Sequence, residues 1–513
     1  MKSYKSKLNF FIIFFIFLFL YLWDDILLGN EAQTLANIYH YAHPSWLAND
    51  WFLSLDTVYR IPFNIFIYPL AKFLSLSALA ITSRILLITL MSLSLTRFFN
   101  VIKLSPGAIA LLILVAFRMK GMLAGEDMLW HVEAKVLAYI LVIGGISSYL
   151  KGSYRSMWLF FGGAASFHPL VGGYSVIAAG FSLFFLERKE KLNFLKTSPF
   201  FALSGWPGIA IVLFNLITSR GASGGTVDLI YVARHPHHMI PTDFIRHVHK
   251  GFPPWLDYTI LIGNLILCTV ILVIAFIKLE KDSREKKLLY FTIGSAGIFA
   301  AGLVLYFSGQ YHLLKYYPFR FPDVIIPFTS YTLFLYAADK FLFLKKPYLG
   351  IAVAILVISV SFVLFIFETK KFISDPLPIS LHAESSEKKE LYSWIASHTS
   401  KDSVFIISPF IDNFNITAQR AQFVTFKHIP QNEKDISTWY TRLKLLNRDQ
   451  NFYNGKLSLD LSNYKKNYNS LSDEELKKIA RKYGLDYYVG LAKRVGKLKQ
   501  VYRNEEWGVY SLR

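Results

Sequence analysis

The chain reads as an α-helical polytopic membrane protein carrying a C-terminal soluble α/β domain, and three observations lead there. Of its 513 residues, 53% are hydrophobic and 17% aromatic, and they are bunched into runs long enough to cross a hydrocarbon core of ~30 Å rather than spread at amphipathic spacing. The Lys and Arg behind a formal charge of +20 fall mainly in short stretches between those runs and in the tail. That is the placement of topology signals, not a nucleic-acid footprint. From about residue 370 the composition turns to mixed charge with short strand-like runs. The single cysteine, Cys268, lies in an apolar run, which excludes an internal disulfide and a Cys-based metal site.

Lys2, Lys5 and Lys7 precede the first apolar run, Leu8 to Leu28, and by the positive-inside rule hold the N-terminus in the cytosol. That run exceeds a signal-peptide core and lacks a small-residue cleavage site, so it is expected to stay as a helix. Ile61 to Phe73 is too short to cross and is interrupted by Pro62, Pro69 and Lys72; it predicts an interfacial helix. Further spans are expected near 77–95, 107–117, 136–150, 200–217, 257–277, 288–307, 324–335 and 348–367. Met157 to Leu186 is broken at Phe167-His168-Pro169 with glycines on both sides, and reads as two half-length helices meeting at His168. The whole gives about eleven crossings in a domain of residues 1–369, with external loops 29–76, 118–135, 218–256 and 308–323. An extracytoplasmic α/β domain over 370–513 follows. In it, Glu387 to His398 is amphipathic, 403–407, 422–426, 487–491, 500–503 and 508–512 are strand-like, and Ser472 to Glu475 is a capping box opening a helix that ends before Gly484.

Under this topology the notable polar groups share the outer side. Glu31 and Asp50 in the first loop are candidate catalytic carboxylates, and the alternative for each is a helix cap or a solvated loop acid. Glu126, Asp127 and Glu133, beside Lys135, form a second acidic cluster, otherwise readable as acids favourable to a helix N-terminus. Arg234-His-Pro-His-His238 has the strongest local composition: His235, His237 and His238 with Arg234 suit a phosphate or substrate contact. A divalent metal is the less favoured reading, since Pro236 forbids a helical i,i+4 ligand pair and no Asp or Glu lies in the motif. No metal ligand set is therefore expected, and no cofactor is named. A phosphate grip using protonated imidazoles would weaken from pH 6 to 8. Arg320 is a further external cation. Arg84, inside a span, must snorkel, pair with a carboxylate or bind an anionic lipid; His168 is either a core hydrogen-bonding residue or a cavity residue.

This arrangement of a cytosolic N-terminus, acidic first and second external loops with Glu31, Asp50 and Glu126-Asp127, many spans and an external α/β tail resembles the GT-C superfamily of integral membrane glycosyltransferases. Stretches of the tail, Leu391-Tyr-Ser-Trp-Ile395, Ser403 to Pro409, Arg420 to Lys427 and Trp439-Tyr-Thr-Arg442, resemble bacterial multi-pass proteins of this type. The adjacent acidic pair often seen in the family's first loop is displaced here, because Asp24-Asp25 falls at the end of the span. The resemblance implies a bacterial-type cytoplasmic membrane location and a polyprenyl-phosphate-linked sugar as donor, with membrane lipids and no nucleic acid as partners. It also implies Glu31 or Asp50 as base and inverting transfer to an acceptor on the outer face, with Arg234 and Arg320 stabilising the departing phosphate. It names neither the sugar, the acceptor nor an oligomeric state. A non-catalytic lipid-linked-glycan binder or transporter, using the break at His168 as a cavity element, is the alternative.

Overall fold

The computed structural model describes residues 2–55, 60–118, 123–218, 226–247, 254–281, 283–374, 379–382, 384–411, 413–453, 455 and 457–513. The apolar runs are helices close to the expected bounds: Lys2–Tyr21, Ile61–Phe73, Leu76–Ile102, Pro106–Arg118, Ala134–Leu150, Pro199–Thr218, Pro254–Lys278, Arg284–Phe307, Arg320–Leu342 and Pro347–Ser374. Five helices among the described residues are long and apolar enough to cross a membrane unaided, and Arg188–Lys196 with Pro199–Phe214 forms a further pair bent by 44°. The protein is a helical multi-pass membrane protein with a small C-terminal sheet.

One buried arginine explains why the first helix stops early. It ends at Tyr21 rather than Leu28; beyond it Asp25 and Leu27 take left-handed φ of 50° and 59°. A helix end leaves its last carbonyls unpaired, and here Arg84, from the Leu76–Ile102 helix, donates through Nη1 to the carbonyls of Tyr21 (2.6 Å), Leu22 (3.2 Å) and Asp24 (2.7 Å). Its Nε pairs with Glu31 Oε2 at 2.9 Å. The charge expected to need a partner inside a span has one.

Residues 29–42, expected as loop, form the helix Gly29–Ala42. Its Glu-Ala-Gln-Thr-Leu-Ala stretch is made largely of good helix formers. The break at His168 separates Tyr154–Phe167 from Pro169–Phe181, with His168 capping both ends: its amide donates to Ala164 O and its Nδ1 accepts from Val171 N at 3.3 Å. Glycines let these helices close on their neighbours. A Cβ at Gly162 would collide with Phe201 O and Ser204 Oγ, and one at Gly172 with the backbone of Ala165, the small-residue contact that membrane helices use for close approach.

In the tail, β1 (Val404–Ile406), β2 (Ala421–Gln422), β3 (Tyr487–Leu491), β4 (Gln500–Arg503) and β5 (Trp507–Ser511) form one sheet in the order β2-β1-β3-β5-β4. β1 runs parallel to β2 and β3, and β5 antiparallel to β3 and β4. Ser472 and Glu475 make the reciprocal capping box of Asp473–Tyr483, which Gly484 closes at φ 66°. The helix Glu433–Leu446 was not anticipated; it buries Ile436, Trp439 and Leu443 at i, i+3 and i+7.

The tail packs on the membrane part through the first loop and the 226–234 helix. Asn49 Nδ2 donates to Asp402 O at 2.8 Å, the rings of Phe52 and His428 lie 5.2 Å apart, and Arg442 stacks over Trp51 at 4.4 Å. Arg234 donates through Nε to Phe426 O at 2.9 Å and stacks over the Phe426 ring at 4.0 Å.

Candidate functional site

Between the membrane helices and the tail lies a cavity of about 550 Å³. Its walls come from the Gly29–Ala42, Ile61–Phe73 and Pro199–Thr218 helices, the 126–139 stretch, the break at His168, the 228–238 and 315–321 segments, and tail residues 427–436. Glu126, Glu133, His168, Arg234, His235, His237, His238 and Arg320 all line it. Asp127 lines a separate cleft of about 20 Å³.

The two carboxylates expected to act as base, Glu31 and Asp50, do not line this cavity. Glu31 is fully buried; besides Arg84 its oxygens accept from Leu27 N and Val132 N, each at 2.9 Å. Asp50 is buried as well and accepts from Phe52 N (3.0 Å), Leu53 N (3.1 Å) and Gln422 N (3.2 Å). Burial pushes the Asp50 carboxyl up, against these backbone donors. A base must reach the proton it removes, and neither group borders the cavity. Both are structural knots: Glu31 ties the first two spans, Asp50 ties the first loop to β2.

The second acidic cluster has its partners in place. Lys135 Nζ lies 3.2 Å from Glu126 and 3.7 Å from Glu133, and Glu126 also pairs with Arg320. Burial alone would raise Glu133, but Lys135, His131 and Arg320 outweigh it and hold the carboxyl down at about 2. The loop that presents Glu126 is pinned from behind. Asp323, fully buried, accepts from Leu123 N, from Ala124 N at 2.9 Å and from Glu126 N at 3.0 Å, with Gly125 between them at φ 63°. Asp323 escaped the sequence reading because it falls at the last position of the expected external loop 308–323, where a carboxylate demands no partner, whereas the helix that carries it begins at Arg320.

The histidines form a packed group. The rings of His237 and His238 are 3.9 Å apart and those of His235 and His238 6.4 Å. His238 Nδ1 lies 2.6 Å from Ala124 O and His235 Nδ1 3.3 Å from Tyr231 O; a carbonyl only accepts, so both Nδ1 atoms carry the proton and both Nε2 atoms are acceptors. Burial, reinforced by nearby Arg234 for His235 and Arg320 for His238, lowers both well below the usual imidazole range. Burial therefore weighs against the expected protonation of His235 and His238. Among the described residues no group of three or more His, Cys, Asp or Glu is placed to hold a metal ion.

The tail's share of the site, Lys427, Ile429, Gln431, Asn432, Glu433 and Ile436, was not foreseen, nor were Asp228 with Lys315 (2.7 Å apart) and Arg60. None has a local signature; they meet only through the fold. Among the described residues, six cations (Arg60, Lys135, Arg234, Lys315, Arg320, Lys427) and four carboxylates (Glu126, Glu133, Asp228, Glu433) line the cavity, a surplus of two positive charges. Phe167, Leu170, Val171, Ile211 and Val212 supply an apolar flank from the membrane helices. Such a cavity can hold an anionic headgroup with apolar chain leading away.

Residues 386–446, which include every tail residue of the cavity, match a family model described as Domain of unknown function (DUF6798). No curated protein matches the chain. Among solved structures, ArnT from Cupriavidus metallidurans in its apo state aligns with 97% of this chain and 96% of its own, at 10% identity and a TM-score of 0.38.

Proposed function

We propose that this protein is a membrane glycosyltransferase of the GT-C type, moving a sugar from a polyprenyl phosphate to an acceptor at the outer face of the cytoplasmic membrane. The observation that carries the reading is the charge and shape of the cavity: a surplus of two cations beside an apolar flank contributed by membrane helices. A polyprenyl-phosphate sugar is a diester with one negative charge, and the polyprenyl phosphate it leaves behind approaches two. Fixed cations in a site shielded from water favour the state in which that charge develops, and one well-placed donor of this kind is worth ~3–4 kcal/mol. A volume of about 550 Å³ lies within the ~300–1,000 Å³ usual for ligand sites, and accommodates a phosphosugar with the first isoprene units.

In this scheme the acceptor hydroxyl attacks the anomeric carbon from the face opposite the phosphate. The carbon–oxygen bond to phosphate breaks, its electron pair leaves with the polyprenyl phosphate, and the configuration inverts. Arg320 and Arg234 hold the departing phosphate. Glu126 and Glu133 fix Lys135 and Arg320 in position, and Asp323 holds the loop that carries Glu126. The orientation, with the cavity outside, rests on the cytoplasmic Lys and Arg of the loops.

Purified protein incubated with labelled polyprenyl-phosphate sugars tests this. Donor binding lost in Arg320→Ala, and polyprenyl phosphate released by the wild type, are expected; no donor binding at all would end the proposal. Because the helix break at His168 borders the cavity, the same donor is also followed in proteoliposomes. Flux across the bilayer without a covalent product would mark a transporter instead.

A further inference from the structure

A hydroxyl acceptor must surrender a proton, and the carboxylates that line the cavity are not equivalent in their freedom to take it. Glu126 is shared between Lys135 and Arg320, Asp228 is paired with Lys315, and Glu133 lies against Lys135. Glu433, from the tail, differs. Among the described residues no cation pairs with it, and its Oε2, like Glu133 Oε1 but with no paired lysine, is buried with no hydrogen-bond partner. Buried polar atoms are almost always satisfied, and one that is not points to a partner supplied from elsewhere. Gln431, its neighbour in the same wall, is anchored through Nε2 to the Tyr231 hydroxyl at 3.4 Å, so this wall is joined to the segment that carries Arg234.

We propose that Glu433 is the general base of the transfer and that tail residues 431–433 form the subsite for a hydroxyl-bearing acceptor, a sugar or other polyol. This rests on the glycosyltransferase reading above and deepens it. The acceptor hydroxyl donates its hydrogen bond to Glu433 Oε2. As its oxygen bonds to the anomeric carbon the proton passes to the carboxylate, while the phosphate leaves toward Arg234 and Arg320 with the electron pair of the broken bond. Asn432 caps the Glu433–Leu446 helix by accepting from Asp435 N at 2.8 Å and so fixes the position of Glu433, and the Gln431 amide oxygen is an acceptor suited to a neighbouring hydroxyl. The arrangement divides the labour: membrane helices hold the donor, the tail holds the acceptor.

The test uses the full-length protein, a fluorescent polyprenyl-phosphate hexose as donor and a free hexosamine as surrogate acceptor, with donor affinity and transfer measured separately. Glu433→Gln is expected to keep donor affinity within about twofold of wild type and to lower transfer by roughly a hundredfold or more, as loss of a general base does. In Glu433→Ala, added formate is expected to restore transfer, which a merely structural role would not allow. Transfer in Glu433→Gln near the wild-type rate with donor affinity intact overturns the base assignment and leaves the donor site standing. Loss of donor affinity in that variant, or no rescue by formate, overturns it too. Failure of the wild type to bind donor overturns the glycosyltransferase reading, and this inference with it.

Discussion

Replacing Glu31 by Gln separates a structural carboxylate from a catalytic one. The structure gives the Glu31 carboxylate contacts with three donors: Arg84 Nε at 2.9 and 3.1 Å, Leu27 N at 2.9 Å and Val132 N at 2.9 Å. Gln keeps one acceptor oxygen and turns the other position into an NH₂ group that faces donors. It also leaves the Arg84 guanidinium, buried with only about 3% of its side chain exposed, without a counter-charge. Removing one partner of a buried pair costs about 3–5 kcal/mol, and for a domain of this size that lowers the apparent melting temperature by about 5 °C. Thermal unfolding in detergent measures it, with donor titration run well below the transition. Glu31→Gln is expected to melt early yet bind donor normally once folded, and Glu31→Leu with Arg84→Met to recover part of the loss. A Glu31→Gln protein that melts like wild type but has lost transfer would refute the structural assignment and return the base to the first loop.

Asp323→Asn keeps one acceptor oxygen for three backbone donors, so Leu123, Ala124 and Glu126 cannot all be satisfied. At about 1–3 kcal/mol for each orphaned group, faster amide exchange across 123–126 and weaker donor binding are expected, and unchanged exchange would count against the pinning role. Donor affinity is expected to stay flat from pH 6 to 8 and to persist in chelator, because burial disfavours the protonated form of His235 and His238; a fall with rising pH in the wild type that vanishes in His238→Gln would contradict this. Burial holds His131 and His428 at about 3, so the unfolded chain takes up protons below ~6.5 that the fold refuses. Stability should be full above that pH and decline as pH falls from 6.5 toward 3, less steeply in His428→Gln. Gly162→Leu should part the helices Tyr154–Phe167 and Pro199–Thr218, since even a Cβ collides with Phe201 O, and a melting point equal to wild type would show that the contact is not needed.

Elements whose cause is local were legible in the sequence. Hydropathy located the helices, Pro169 after His168 located the break, and Ser472 with Glu475 located a helix start to the residue. The helix Gly29–Ala42 was missed because its polar residues resemble a loop, although Gln33, Thr34 and Asn37 are buried; tertiary burial, not periodicity, decides there. β2 is only two residues long, and the amide of its Gln422 donates to Asp50 of the first loop, a partner that no strand pattern announces. The tail wall of the cavity had no sequence signal, since Lys427 and Glu433 gain meaning only beside Arg234 and Tyr231.

The two ways of reading Glu31 have an instructive origin. Arg84 was recognised as a charge in a span that required a partner, while Glu31 was recognised as a carboxylate at a membrane face available for chemistry. These are two halves of one interaction, 2.9 Å apart. An ionisable group in an apolar span is a demand for an opposite charge at the same depth, and the carboxylate that meets it is thereby spent. Glu31 opens the helix Gly29–Ala42 and Arg84 lies two turns inside Leu76–Ile102, and the fold brings the two together. The same reasoning applied to Asp323, a buried carboxylate near the start of its helix, leads to donors at the membrane face and hence to the loop of Glu126. Subtracting carboxylates already committed in this way from the acidic residues of the outer face leaves few for catalysis. The one with an unsatisfied oxygen at the cavity that carries no opposing cation is Glu433.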